Sequence, residues 1–331
     1  MRITRRLALG GLLAAPALQF ARAAEQPATK LEKVTYLFPA PSFLPAFIPH
    51  HLAQSRGYFK AEGLDVSFEV GRGGADVAKQ VAVGNADVGG GVGETSMIVR
   101  PNGLKVRGVA LLGGRPIFQL AARKAANIHD WADLRGKKIG VIGYEDTSYY
   151  SLLGALAAKG LKRNDLQIEA VGNAGMTQLM IAKSLDAIMA TPDWAYAIET
   201  AGVPLVYFPI YKIFPAMAQA VLASDDIVKR RPKVVRGVVH AILHGVRDCM
   251  KDPASAARDF IAAVPQQKGK EVAIEAILRR YDSQCYRTDP PQDLGLFDPK
   301  RLSTVQHFYL KNKIIRSAVP VEDLYTNEFV H

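Results

Sequence analysis

The residues best placed to meet a small molecule fall in one stretch, Val66 to Thr95. It reads as an alternating strand (Val-Ser-Phe-Glu-Val), a Gly-Arg-Gly-Gly-Ala turn, a short helix closed by Gly84, and a second strand ending in Gly-Gly-Gly-Val-Gly-Glu-Thr. Both glycine-rich loops should leave the same edge of a sheet. In open α/β sheets, helix N-termini and free backbone amides converge outside the carboxyl ends of the strands, and small ligands sit there. The chemistry this supports is recognition through hydrogen bonds. Nothing points to bond-making: there is no nucleophile elbow, no phosphate-binding Lys-Ser or Lys-Thr loop and no His-carboxylate arrangement. We therefore expect no catalytic residues, no cofactor and no metal.

The other reactive residue types read as structural. Cys249 and Cys285 lack metal-type spacing, and in an oxidising compartment they could pair or stay buried as free thiols. His50 and His51 are adjacent, and adjacent residues face different ways on a helix, which rules against a shared ligand role.

The 331-residue chain with 49% hydrophobic content can bury a large core and should divide into two lobes. Its first 23 residues look like an export signal. Arg2, Arg5 and Arg6 precede an apolar run from Leu7 to Leu18, and Ala21-Arg22-Ala23 is a small-x-small cleavage site. The run is too short to span a bilayer. Thr4-Arg5-Arg6 resembles a twin-arginine signal, although adjacent arginines also begin ordinary ones. Removing residues 1–23 leaves 38 basic and 31 acidic residues, a charge of +7. The basic residues are scattered and not interleaved with aromatics, so nucleic acid is excluded as a partner. The modest positive field could favour anionic ligands or serve solubility alone.

Along the chain, strands are predicted at Val34–Phe38, Val106–Leu112, Phe118–Ala122, Lys137–Gly143, Leu205–Phe208 and Gln219–Ala223, and a helix at Ala46–Lys60 stopped near Gly57. Thr147 and Ser148 are good N-cap residues for a helix running to Lys159. Ile168–Val171 is followed by a small-residue turn, Gly172-Asn173-Ala174-Gly175, a helix at Met176–Ser184, and a strand begun by Asp186. This echoes the opening stretch, where a strand, loop and helix lead to Asp87. The echo suggests two lobes of similar build facing a shared cleft. From Pro232 onward the pattern is helical, and Val321–Tyr325 should dock the terminus.

Gly57-Tyr58-Phe59-Lys60-Ala61-Glu62-Gly63-Leu64, Val83-Gly84-Asn85-Ala86-Asp87-Val88-Gly89, Leu134-Arg135-Gly136-Lys137-Lys138-Ile139-Gly140-Val141 and Asp186-Ala187 before Pro192 occur in the order found in one family. With the export signal ahead of them, the chain resembles the periplasmic substrate-binding proteins of ABC importers, in the group that binds thiamine precursors, sulfonates, taurine and nitrate. The resemblance implies a two-lobe periplasmic-binding-protein α/β fold of type II, its ligand cleft between lobes joined by two crossing strands. Lobe 1 would comprise residues 33–116 and 226–331, and lobe 2 residues 117–225. It further implies a monomeric, non-catalytic periplasmic receptor that hands a small organic molecule to an inner-membrane ABC permease. A sensing partner for a membrane receptor has the same signature. The same fold also hosts a thiamine-pyrimidine-synthase-like enzyme, though that group relies on a cysteine-rich iron-binding motif and a histidine, and no cysteine cluster occurs here.

By the same resemblance, ligand contacts fall at Ser42 and Phe43, Gly73, Gly74 and Ala75, Gly93, Glu94 and Thr95, Thr147, Ser148 and Tyr149, Asn173, and Asp193 and Trp194. Gly73 and Gly74 would let backbone amides approach a ligand, or simply make a turn. Thr147 to Tyr149 offer a hydroxyl and amides at a positive helix end suited to a carboxylate, sulfonate or phosphate, or merely cap it. Phe43, Tyr149 and Trp194 could stack on an aromatic or heterocyclic ligand. Many sulfonate-type relatives carry Trp-Glu-Pro where this chain has Thr191-Pro192-Asp193. Glu94 would repel an anion unless it points away or pairs with Arg72 or Arg115.

Overall fold

The computed structural model describes residues 30–331; the export signal read at residues 1–23 lies outside them. The strands in chain order are β1 (Glu32–Phe38), β2 (Leu64–Val70), β3 (Val88–Val92), β4 (Val106–Leu111), β5 (Gln119–Arg123), β6 (Lys138–Val141), β7 (Gln167–Ala170), β8 (Ala187–Ala190), β9 (Leu205–Phe208) and β10 (Gln219–Ser224). They form two five-stranded sheets, ordered β2-β1-β3-β10-β4 and β7-β6-β8-β5-β9.

The two orders correspond strand for strand. In each sheet the first three strands run parallel, and the fourth runs antiparallel to both of its neighbours. That fourth strand belongs, in sequence, to the other half of the chain. β5 follows the first sheet but inserts into the second, and β10 follows the second but returns to the first. The chain therefore crosses between the sheets twice, at 112–118 and 209–218. A lobe boundary at 225 would place β10 with the second sheet; its hydrogen bonds to β3 and β4 put it in the first.

The sequence echo has a structural counterpart in its two aspartates. Asp87 accepts from the Thr35 amide at 2.8 Å, and Asp186 from the Lys138 amide at 2.9 Å, so each ties its strand to the neighbouring parallel strand. Each is then paired with an arginine, Asp87 with Arg231 and Asp186 with Arg123.

The first helices are α1 (Ile48–Ser55), α2 (Tyr58–Ala61), α3 (Gly74–Ala82), α4 (Thr95–Val99), α5 (Thr147–Ala158), α6 (Gly172–Ile181) and α7 (Pro192–Thr200). The remainder are α8 (Asp225–Arg230), α9 (Pro232–Lys251), α10 (Pro253–Ala263), α11 (Glu271–Tyr281), α12 (Pro299–Lys311) and α13 (Val321–Leu324). Two expectations are corrected here. The helix expected over Ala46–Lys60 is split, because Pro45 opens a separate 3₁₀ turn and Gly57 adopts φ 78°, ending one helix and starting the next. The small-residue turn expected at Gly172–Gly175 is instead the first turn of α6, since only Gly172 there takes positive φ.

The apolar stripe of α9, with Val235, Val238, Val239 and Ile242 fully buried, packs against α1. Arg56 fastens this layer by reaching Asp248 on α9 and Asp259 on α10, each at 2.6 Å. His50 and His51 are both buried beneath it. His50 Nε2 meets the Tyr36 hydroxyl at 2.9 Å, and burial holds its imidazole down to about 3, so it is neutral. The C-terminal segment docks as expected, Tyr325 bridging to Gly108 of β4 and Phe329 fully buried. Cys249 and Cys285 are free, buried thiols.

Candidate functional site

The two sheets face each other across a cleft whose walls come from both sides. At its centre is a cavity of about 50 Å³. Leu44, Phe47 and Gly91 come from the first sheet's side; Phe118, Thr147 and Trp194 come from the second. It adjoins an outer chamber of about 550 Å³, and Leu44, Asn173, Asp193 and Trp194 line both.

One carboxylate joins the lobes at the inner cavity. Asp146 is the N-cap of α5, its Oδ1 accepting from the Ser148 amide at 2.7 Å. Its Oδ2 accepts from the amide of Gly74, the first residue of α3, at 3.2 Å. Thus a single negative charge lies at the positive ends of two helices from opposite sheets. Gly73 holds φ +102°, and a Cβ on it would collide with that carboxylate. Burial raises the Asp146 pKa, opposed by these hydrogen bonds.

This arrangement corrects the capping expectation. Asp146 caps α5, while the Ser148 hydroxyl accepts from the Ile142 amide at 3.0 Å and only Thr147 lines the cavity. It also makes a prediction. Asp146→Asn keeps the acceptor for Ser148 but turns an amide group toward the Gly74 N–H. The closed form should lose about 1 to 2 kcal/mol relative to open forms, roughly tenfold in population. Small-angle scattering of the unliganded protein should then show a larger radius with helicity preserved. An identical scattering profile would remove the latch role.

A second connection involves Asp193, in the first turn of α7 and 5% exposed. Its Oδ1 accepts from the Tyr281 hydroxyl of α11 at 2.6 Å. Arg280 pairs with Glu199 of α7 at 2.7 Å and lies 5.1 Å over the Tyr196 ring. Because α11 packs on α10 and α9, these contacts bind the helical layer of the first sheet to the second. Burial raises the Asp193 pKa as well. Asn173 lines the same cavity as the two carboxylates, and its Oδ1 is buried without a partner. Thr191 Oγ1 sits beside the Asp193 carboxylate with no hydrogen bond of good geometry. No lysine or arginine lines the inner cavity.

Of the residues expected to meet ligand, Thr147, Asn173, Asp193 and Trp194 therefore converge on the inner cavity, and Phe43 on the outer chamber. The rest lie elsewhere. The Gly74 amide goes to Asp146 and the Gly73 amide to the Pro39 carbonyl at 2.9 Å, while Ala75 is half-buried on α3 outside the cavity walls. The Ser42 carbonyl accepts from His51 Nε2 at 2.8 Å. Tyr149 faces a groove on the far side of α5, where its hydroxyl accepts from Arg163 Nε at 3.0 Å. Thr95 accepts from the Val92 amide at 2.9 Å, and a Cβ on Gly93 would strike Met217.

Glu94 points away from the cleft, into the hinge, and pairs with neither Arg72 nor Arg115. It is 2% exposed; Oε1 accepts from the Met217 amide in the second crossing segment at 2.7 Å, and Oε2 has no partner. Above it, Arg301 of α12 grips both crossings. Its Nε donates to the Pro215 carbonyl at 3.0 Å, Nη1 to the Gly114 carbonyl at 3.1 Å, and Nη2 to the Ala216 carbonyl.

Asp146, Leu44, Phe47, Phe118, Thr191 and Gln219 were missed. Asp146 was legible, because Asp outranks Thr as an N-cap and precedes Thr147-Ser148 directly. So was Thr191, the N-cap position before Pro192. Phe118 and Gln219 sit where the two crossing segments meet the sheets, and nothing local marks them.

The fold is that of the periplasmic binding proteins, mixed α/β with a cleft between two sheets. The chain belongs to the NMT1/THI5-like family, whose model matches residues 44–256. It is 25% identical over 310 residues to the riboflavin-binding protein RibY of Chloroflexus aurantiacus, covering 91% of this chain and 86% of that protein. It is 30% identical over 231 residues to 4-amino-5-hydroxymethyl-2-methylpyrimidine phosphate synthase of Schizosaccharomyces pombe, 66% of each chain. Its fold is similar to the alkanesulfonate-binding protein SsuA of Xanthomonas axonopodis pv. citri bound to MOPS, with TM-score 0.69 at 15% identity, covering 92% of this chain and all of that one.

Proposed function

We propose that this protein is an exported solute receptor that closes over a nitrogen heterocycle, neutral or cationic and bearing N–H donors, and presents it to an ABC import permease. The observation that carries this is the inner cavity. Its charged groups are Asp146 and Asp193, no basic side chain faces it, and the unpartnered Asn173 Oδ1 asks for a donor. Phe47, Phe118 and Trp194 supply aromatic walls for the edge of a planar ring.

A bare sulfonate or nitrate would meet two carboxylates with no counter-charge, so the organic-anion option is set aside. The relatives support a heterocycle, one named for riboflavin and others for a pyrimidine product. No helix among the described residues is long and apolar enough to cross a membrane, which is compatible with an exported receptor. The pyrimidine synthase relatives favour turnover as the second reading. Among the described residues no group of three or more His, Cys, Asp or Glu is placed to hold a metal.

Thermal shift tests the proposal across riboflavin, 4-amino-5-hydroxymethyl-2-methylpyrimidine, taurine and nitrate. Ligand at about 100 times Kd adds about 2.7 kcal/mol to the folded state. Heterocycles should raise Tm, and the two anions should not. Stabilisation by an anion alone would overturn the ligand class, and conversion of a heterocycle detected by mass spectrometry would replace the receptor with an enzyme. Trp194→Ala should weaken the heterocycle about tenfold, the loss of roughly 1 to 1.5 kcal/mol of ring contact.

A further inference from the structure

We infer that the outer chamber is a second subsite and that the ligand is a two-part or fused-ring aromatic too large for the inner cavity. The inference rests on the receptor reading above. The inner cavity, at about 50 Å³, has room for the edge of a ring and not for a ring system. The outer chamber, at about 550 Å³, is in the range of pockets that hold whole organic ligands. The shared walls at Leu44, Asn173, Asp193 and Trp194 make the two spaces neighbours, so one molecule placing its donor edge against Asn173 extends its bulk outward past Trp194.

The walls of the outer chamber fit a flat apolar body. Phe43, Leu44 and Pro45 form one side, and Trp194, Tyr196 and Ala197 of α7 form the other. Phe43 is 40% exposed, a large apolar surface left open beside the chamber. Polar groups sit among the remaining lining residues, where Thr177, Gln178 and Lys270 would meet hydroxyl or carbonyl groups on the ligand. Both walls belong to elements bound to opposite sheets, so the chamber would clamp the bulky part as the cleft closes.

Calorimetric titration of the full-length protein with riboflavin, lumichrome and 4-amino-5-hydroxymethyl-2-methylpyrimidine tests this. The two fused-ring compounds should bind roughly 100-fold more tightly than the single ring, through the extra apolar surface removed from water. Ala197→Trp fills the chamber from an exposed position on α7, and Ala273→Trp fills it from the α11 wall. Either should weaken the fused-ring compounds about 30-fold and leave the pyrimidine within about threefold, with Tm of the unliganded protein unchanged. Equal affinity for one ring and three, or fused-ring binding untouched by both tryptophans, overturns the second subsite while leaving the receptor reading standing. Failure of all three compounds to bind overturns the heterocycle reading on which the second subsite rests.

Discussion

Replacing Arg301 by alanine should lower the free energy of unfolding by about 3 to 5 kcal/mol, because it removes three charge-assisted hydrogen bonds and the counter-charge nearest Glu94. The guanidinium donates to carbonyls of both crossing segments, Gly114 in one and Pro215 and Ala216 in the other. Each carbonyl lies in a connection without a strand partner to replace the lost donor. Arg301→Lys should recover only part of the loss, since an ammonium cannot reproduce a planar fork spanning two backbones. Urea denaturation of the three proteins measures the difference. A loss below about 1 kcal/mol for Arg301→Ala would mean that the crossings hold their geometry without it.

The same hinge should make stability depend on pH near neutrality. Burial pushes the Glu94 carboxyl up to about 7, and the Met217 amide and the charge of Arg301 only partly oppose it. The groups facing it are Arg301 and Tyr309, both from α12. A carboxyl whose folded pKa lies above its unfolded value of 4.5 favours the folded state while protonated. Its stabilising contribution is complete below pH 4.5 and is lost as pH rises through about 7. The span amounts to at most about 3 kcal/mol. Asp146 and Asp193, also raised by burial, act with the same sign.

Glu94→Gln keeps the acceptor for Met217 and gives Oε2's place a neutral donor. It should flatten the stability profile between pH 5 and 7.5 and raise stability at the upper end. A profile with unchanged slope in the variant would assign the pH dependence to the two cleft aspartates.

Much of the fold was legible because its signals are local. Leu205–Phe208 has the limits that residue pattern gives it, the segment from Pro232 onward is helical as its apolar stripe requires, and the paired Gly-to-Asp segments announced two sheets of similar build. The family's ordered motifs were legible for the same reason, each being a short run with its own turn chemistry. Within the cavity, Thr147, Asn173, Asp193 and Trp194 were reached through the family resemblance, and they converge because each sits at the start of a helix that follows a strand, at the same edge of the second sheet.

Three things were decided only by tertiary structure. Sequence order puts β10 after the second lobe, but an antiparallel strand can pair with any exposed edge, and packing placed it between β3 and β4. Gly73 and Gly74 offered their amides to a ligand in one dimension, while in three dimensions Asp146, 72 residues away, takes the Gly74 amide. Glu94, in a glycine-rich loop beside the cleft, could have faced the ligand or turned away. The direction of its side chain depended on where the second crossing presents the Met217 amide, a position fixed by Arg301 more than 200 residues later. Local propensity determines the elements and their ends; which polar groups satisfy one another depends on the path of the whole chain, and that choice made the Val66–Thr95 stretch half a cleft and half a hinge.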